Sequence, residues 1–135
     1  MIHIKYKLDR SPFHGIGLFA DESIVKGTLI YTASPLLDVN ITQEQFDSLS
    51  EKEQKEIRWW GFLDPVSNKW HVDFDVTHFI NHADDAAVTQ DTVHNDAYLI
   101  AARDIKAGEE LTQNYLEFES EEDLRKRGIV PAQIS

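Results

Sequence analysis

Apolar and polar residues alternate at the start of the chain, where Ile2, Ile4, Tyr6 and Leu8 are separated by His3, Lys5 and Lys7. A period of two predicts a half-buried strand. Arg10-Ser11-Pro12 and His14-Gly15 then punctuate a turn. Gly17 to Ala20 predicts a second strand, and Lys26-Gly27 a tight turn before a β-rich run from Thr28 to Tyr31. The period changes between Thr42 and Trp60. Thr42 with Gln45, and again Ser50 with Glu53, have the spacing of a capping box, so the segment reads as one helix or as two short ones. Phe46, Leu49, Ile57 and Trp60 fall roughly on one face of it. Gly61 and Asp64-Pro65 close the segment. Trp70 to Phe74 and Ala97 to Ala102 predict further strands, and after a turn at Ala107-Gly108 the run from Leu111 to Tyr115 closes the domain. From Ser120 a short helix follows. Ser120 caps it, Glu121, Glu122 and Asp123 sit at its positive end, Arg125, Lys126 and Arg127 at its negative end, and Gly128 at its stop. Many short strands with one helical insert predict a mainly β domain.

The 135 residues suit one domain, and a hydrophobic share of 41% supports a packed core. The formal net charge of −11 opposes direct nucleic-acid binding, which needs clustered Lys and Arg. It suits a basic partner through electrostatic steering, although ordinary solubility explains an acidic surface equally well. The absence of cysteine excludes disulfides and thiolate metal sites. There is no run of 18 apolar residues and no signal-peptide core, so no membrane span and a cytoplasmic location are expected.

Three groups of residues carry candidate chemistry. Gly15-Ile16-Gly17 lets the backbone approach a ligand closely, but with no third glycine and no helix following it is not a dinucleotide fingerprint. Asn81-His82 pairs an amide able to fix a ligand's polar end with an imidazole. Glu109 to Tyr115 reads E-E-L-T-Q-N-Y and ends on a phenol. His78 and His82 also form H-x-x-x-H, with Asp73, Asp75, Asp84 and Asp85 nearby. Phe79 stands where a zinc hydrolase would carry Glu, and the flanking pattern is not helical, so no native metal is expected. A metal-dependent hydrolase using His78 and His82 is the reading that metal analysis would test.

In order, G-I-G-L-F-A (15–20), I-V-K-G-T (24–28), T-H-F-I-N-H (77–82) and A-A-R-D-I-K-A-G-E-E-L-T-Q-N-Y (101–115) resemble the SET-domain protein lysine methyltransferases, in the minimal, cysteine-free form found in bacteria and large DNA viruses. The resemblance implies a SET (β-clip) fold of short sheets with a C-terminal pseudoknot over residues 1–118, a helical insert at about 42–60, and a helix and tail at 119–135. It implies S-adenosylmethionine as cofactor and S-adenosylhomocysteine as product. Gly15, Ile16, Gly17, Asn81 and His82 would bind the cofactor, and Tyr115 would be catalytic. Tyr31, Tyr98 and Phe118 would wall the substrate channel, with Trp59 and Trp60 as further candidates. The implied substrate is a basic, lysine-containing protein or peptide, with homodimerisation to complete a groove, and a host nucleus as the location for a viral or secreted effector. The chain departs from the family at Ala83, Ala86 and Ala87, where Ser, Pro and Asn are usual, and at Asn114, where Asp is usual. These departures keep a second reading open, a SET-like binding module without turnover.

Overall fold

The computed structural model of the chain describes residues 1–13, 15–64, 67–94, 97–126 and 128. His14, Pro65 and Arg127, which the sequence assigns to a turn, to the end of the insert and to the last helix, lie outside the described residues, as does the tail at 129–135. In chain order the strands are β1 (Tyr6–Arg10), β2 (Ile16–Ala20), β3 (Leu29–Thr32), β4 (Val39–Thr42), β5 (Phe62–Leu63), β6 (Lys69–Val72), β7 (Asn81–His82), β8 (Val88–Gln90), β9 (Tyr98–Ala101) and β10 (Glu110–Gln113). The helices are α1 (Gln43–Asp47), α2 (Glu51–Trp60) and α3 (Glu121–Lys126), with 3₁₀ turns at Val76–Phe79 and Tyr115–Glu117. The larger sheet runs β1-β2-β10-β8-β9-β3, with β7 also on β10, and a small sheet runs β4-β6-β5. The architecture is mainly β, short strands in two sheets with the described α-helices confined to the insert and the C-terminal end.

Its core lies on the inner faces of the larger sheet. Leu18, Ala20, Ile30, Val88, Ala101, Ile105 and Leu111 are buried together. The inward residues of β2 and β10 meet directly, with Leu18 opposite Leu111 in antiparallel register. Branched and aliphatic side chains at alternate positions bury one face, as a pleated strand requires.

The first strand differs from the alternation. It begins at Tyr6 rather than Ile2, and every one of its residues is exposed. It is an edge strand paired only with β2. Ile2 and Ile4 pack partly against the core ahead of it. The period of two was real, but edge position put Tyr6 and Leu8 in solvent. The insert resolves into the two-helix alternative, and both capping boxes close as the spacing requires. Of the four residues on the expected face, Phe46 alone is fully buried, whereas Trp60 is largely exposed. Phe46 stacks on Trp70 of β6, fastening the insert to the small sheet.

Strand β10 is held on both sides. Antiparallel to β2, it also lies parallel to β7 and β8. The intervening 83–87 segment donates to it from the Ala83 amide (Gln113 carbonyl, 3.1 Å) and the Ala87 amide (Thr112 Oγ1, 3.2 Å). A late strand tucked against an earlier loop is the expected pseudoknot arrangement. Ala83 and Ala87 are buried here, so small side chains let the loop close on β10 through its backbone. Asn114 caps the following 3₁₀ turn by accepting from the Leu116 amide at 3.0 Å, the bond an Asp would accept at the same place. At α3, Ser120 accepts from the Asp123 amide at 3.1 Å, as its capping role requires.

Candidate active site

Parallel pairing of β7 with β10 places Asn81 beside Thr112 and His82 beside Gln113. From there Asn81 reaches the glycine loop. Its Nδ2 donates to the Ile16 carbonyl at 3.2 Å and to Glu110 Oε2 at 3.0 Å. Glu110 also accepts from Ser11 Oγ, 2.8 Å from each carboxylate oxygen. The two glycines of the loop serve different needs. Gly15 has φ +52°, a left-handed conformation that L side chains resist. Gly17 has no such φ. A Cβ there would lie 2.5 Å from Glu110 Oε2, so it is glycine to make room for the carboxylate that holds Asn81.

His82 faces the other way. Its Nδ1 accepts from the Tyr115 amide at 3.1 Å, its Nε2 lies 3.2 Å from Asp84, and its ring meets the Tyr115 ring edge-on at 5.4 Å. Donating Nε2–H to Asp84 leaves Nδ1 as acceptor, the tautomer that the Tyr115 amide needs. Tyr115 stands just past the end of β10, in the 3₁₀ turn. Its hydroxyl donates to the Ile80 carbonyl. The ordered blocks 15–17, 81–82 and 115 are thus joined by direct hydrogen bonds.

The Tyr115 side chain lines a cavity of about 120 Å³. Trp59 and Trp60 from the end of α2, together with Phe62, Phe118 and Tyr31, make its wall aromatic. Phe62, Phe118 and Tyr115 contact in succession, with ring centroids 4.7 Å and 5.3 Å apart. Of the three expected channel residues, Tyr31 and Phe118 line this cavity. Tyr98 does not, because its ring stacks on His94 at 3.7 Å.

Sequence reasoning missed the polar side of the cavity. Tyr31 donates its hydroxyl to Asp73, and His71 Nε2 lies 3.0 Å from Asp73 and 3.3 Å from Asp38. Asp38 sits behind them, accepting from the Ser34 amide (2.9 Å) and the Phe74 amide (3.1 Å). Burial, reinforced by the neighbouring Asp73 charge, pushes the Tyr31 phenol far above its ordinary value, so it is a donor throughout the working pH range. Burial also opposes a charge on His71, but the hydrogen bond to Asp73 and the charges of Asp73 and Asp38 outweigh it and raise its pKa. Asp73 and Asp75, both near the H-x-x-x-H pair in sequence, do separate work. Asp75 caps the 76–79 turn by accepting from the Thr77 amide at 3.1 Å. The available signal was the H-x-D spacing of His71 and Asp73, which the helix-oriented H-x-x-x-H pattern overshadowed.

His78 and His82 form no metal-ligating group among the described residues. His78 packs against Trp60 and Phe79, whereas His82 serves Asp84 and Tyr115. The described group with metal-compatible spacing is Asp38, His71 and Asp73, whose ligand atoms lie within 4.8 Å of one another.

A family model described as SET domain matches residues 15–116. A candidate histone methyltransferase from Plasmodium falciparum superposes with a TM-score of 0.58 at 18% identity, over 84% of this chain and 95% of that one. A Polycomb Repressive Complex 2 structure with two mutations in Ezh2 gives 0.66 at 25% identity, over 92% of this chain but 16% of that one. A humanized mutant of the Chaetomium thermophilum complex, bound to an inhibitor, gives 0.65 at 25% identity, over 93% and 17%. The chain therefore spans about a sixth of the Polycomb chains it resembles. No curated protein matches it.

Proposed function

The chain belongs to the SET-domain family, and on that premise we propose that it is a protein lysine methyltransferase that uses S-adenosylmethionine and acts on a basic protein. The observation that carries the reading is the hydrogen-bonded path from the glycine loop through Asn81 and His82 to Tyr115 at the wall of an aromatic cavity.

The residues present fit such a cofactor. The left-handed Gly15 has nothing within 4 Å of where a Cβ would be, and the adjoining backbone is tied to the Asn81 amide. Gly15, Ile16 and Gly17 would offer backbone groups to the amino-acid end of the cofactor, and Asn81 and His82 would meet its polar groups partly through their backbone. When bound, the cofactor supplies an electrophilic methyl on a sulfonium.

The chain's own contribution is positioning. In-line displacement by an amine needs alignment at near-attack distance more than it needs a strong acid or base. Tyr115 has its hydroxyl proton committed to the Ile80 carbonyl, so its oxygen presents an acceptor to an amine N–H. His82 fixes the Tyr115 backbone from below. The aromatic wall of Trp60, Phe62 and Phe118 excludes water from the alkyl stem of the substrate. Lysine must react neutral, although its free pKa is about 10.4, and desolvation in such a cavity favours the neutral amine.

Calorimetric titration with S-adenosylmethionine tests the cofactor, and methylation of mixed histones tests the reaction. Wild type should bind one equivalent, and Asn81→Ala should lose that binding. Tyr115→Phe should keep it while losing roughly 10²-fold in rate. An unchanged rate in Tyr115→Phe would overturn the catalytic role, and absence of binding by the wild type would return the chain to the binding-module reading.

A further inference from the structure

The cavity beside Tyr115 has a charge pattern that its aromatic character conceals. Among the described residues lining it there is no Lys or Arg, and Asp73 is the single carboxylate. Asp73 is well braced. It accepts from Tyr31 on β3 and from His71 on β6. His71 Nδ1 in turn lies 2.7 Å from Asn40 Oδ1 on β4. Oxygen acceptors at both ring nitrogens favour the doubly protonated ring. The fully buried Asp38 carboxylate backs the same ring at 3.3 Å. Two carboxylates around one imidazole leave at least one negative charge whichever way His71 is protonated, and of the two only Asp73 reaches the cavity.

The surrounding rings connect that charge to the reacting end. His71 packs against Phe62 at 5.5 Å, Phe62 against Phe118 and Phe118 against Tyr115, so one aromatic wall runs from Asp73 to the catalytic phenol. His78 on the 76–79 turn also lines the cavity, its buried Nδ1 without a hydrogen-bond partner among the described residues, and Asp64 and Asp75 add negative charge in the vicinity of His71 and Tyr31.

We propose that Asp73, set in place by Tyr31, His71 and Asp38, is the specificity determinant by which this cavity admits a cationic amine and turns away an uncharged chain of the same length. The inference rests on the lysine-channel reading above and assigns a residue to its selectivity. Asp73 attracts the ammonium on entry, before its proton is lost, and the aromatic wall accepts the alkyl stem. Asp73 touches neither the glycine loop nor Tyr115 in this structure's hydrogen bonds, so it acts on which side chain enters rather than on the transfer itself.

The test is a titration of n-butylammonium chloride against 1-butanol, read from the indole N–H signals of the cavity residues Trp59 and Trp60 by NMR, on the full chain. The wild type should prefer the ammonium by about tenfold or more, the value of a charge-assisted hydrogen bond. Asp73→Asn should bind the two probes alike, and Asp73→Glu should recover part of the preference. Equal binding of both probes by the wild type overturns the proposal without any variant, as does a preference that survives in a folded Asp73→Asn. A parallel S-adenosylmethionine titration on the same samples keeps the two readings separate. Cofactor binding without amine preference overturns only the role of Asp73, whereas amine preference without cofactor binding supports that role and overturns the methyltransferase reading.

Discussion

Replacing Gly17 by alanine separates a steric requirement for glycine from a conformational one. In the wild type the new Cβ would lie 2.5 Å from Glu110 Oε2, 2.8 Å from its Cδ and 3.0 Å from Ser11 Cβ. The carboxylate can swing away, but only by giving up the bonds from Ser11 and Asn81. Overpacking of this kind costs about 1–3 kcal/mol, which for a domain of this size lowers Tm by roughly 4 °C per kcal/mol. The backbone at Gly17 is not left-handed, so alanine is otherwise welcome there and stabilises by about 0.4–1 kcal/mol through the unfolded chain. The size of the effect therefore depends on Glu110. Gly17→Ala should destabilise the wild type and cost much less in a Glu110→Ala background, where the 3.0 Å approach to Ser11 Cβ is what remains. Gly15→Ala, by contrast, meets nothing within 4 Å and should cost about 1–2 kcal/mol in either background, from its φ of +52° alone. Denaturant unfolding of the wild type, Gly17→Ala, Glu110→Ala and their double variant gives the coupling energy directly. An equal cost of Gly17→Ala in both backgrounds would refute the steric account and, with it, the idea that this glycine exists to seat the carboxylate that orients Asn81.

Two further predictions concern stability. Phe46 is 2% exposed, stacks on Trp70 at 4.4 Å and carries the Arg58 guanidinium 5.1 Å from its ring centre. Phe46→Ala should cost about 3–5 kcal/mol in urea unfolding, and a loss below about 1 kcal/mol would mean that the insert does not fold cooperatively with the sheets. The raised pKa of His71 makes stability pH-dependent in a definite direction. Its contribution is full below the unfolded value of about 6.5 and is lost as pH rises through the folded value. The urea midpoint should therefore decline from about pH 6 upward through this window, and His71→Asn should flatten that decline. A decline unchanged in the variant would assign it to another group.

Local chemistry made much of this protein legible in its sequence. The capping boxes at Thr42 and Ser50, the strands at 16–20 and 98–101 and the helix after Ser120 follow from residues a few positions apart, so their signals are complete within the segment. The three ordered blocks also announced the family, because each is a short run whose residues act on the backbone near them. Tertiary structure decided what those blocks touch. Only the pairing of β10 between β2 and the β7–β8 segment brings Gly17, Asn81 and Tyr115 together, from positions nearly 100 residues apart. The same closure gave the alanines at 83 and 87 a packing role that no local pattern shows. The cluster of Tyr31, Asp38, His71 and Asp73 was hidden for the same reason. Two strands and a loop from separate parts of the chain converge there, and a carboxylate's partner in space leaves no periodic trace in sequence. Edge or interior position is likewise a property of the assembled sheet, which is why the alternation from Ile2 to Leu8 predicted a strand but not its exposure.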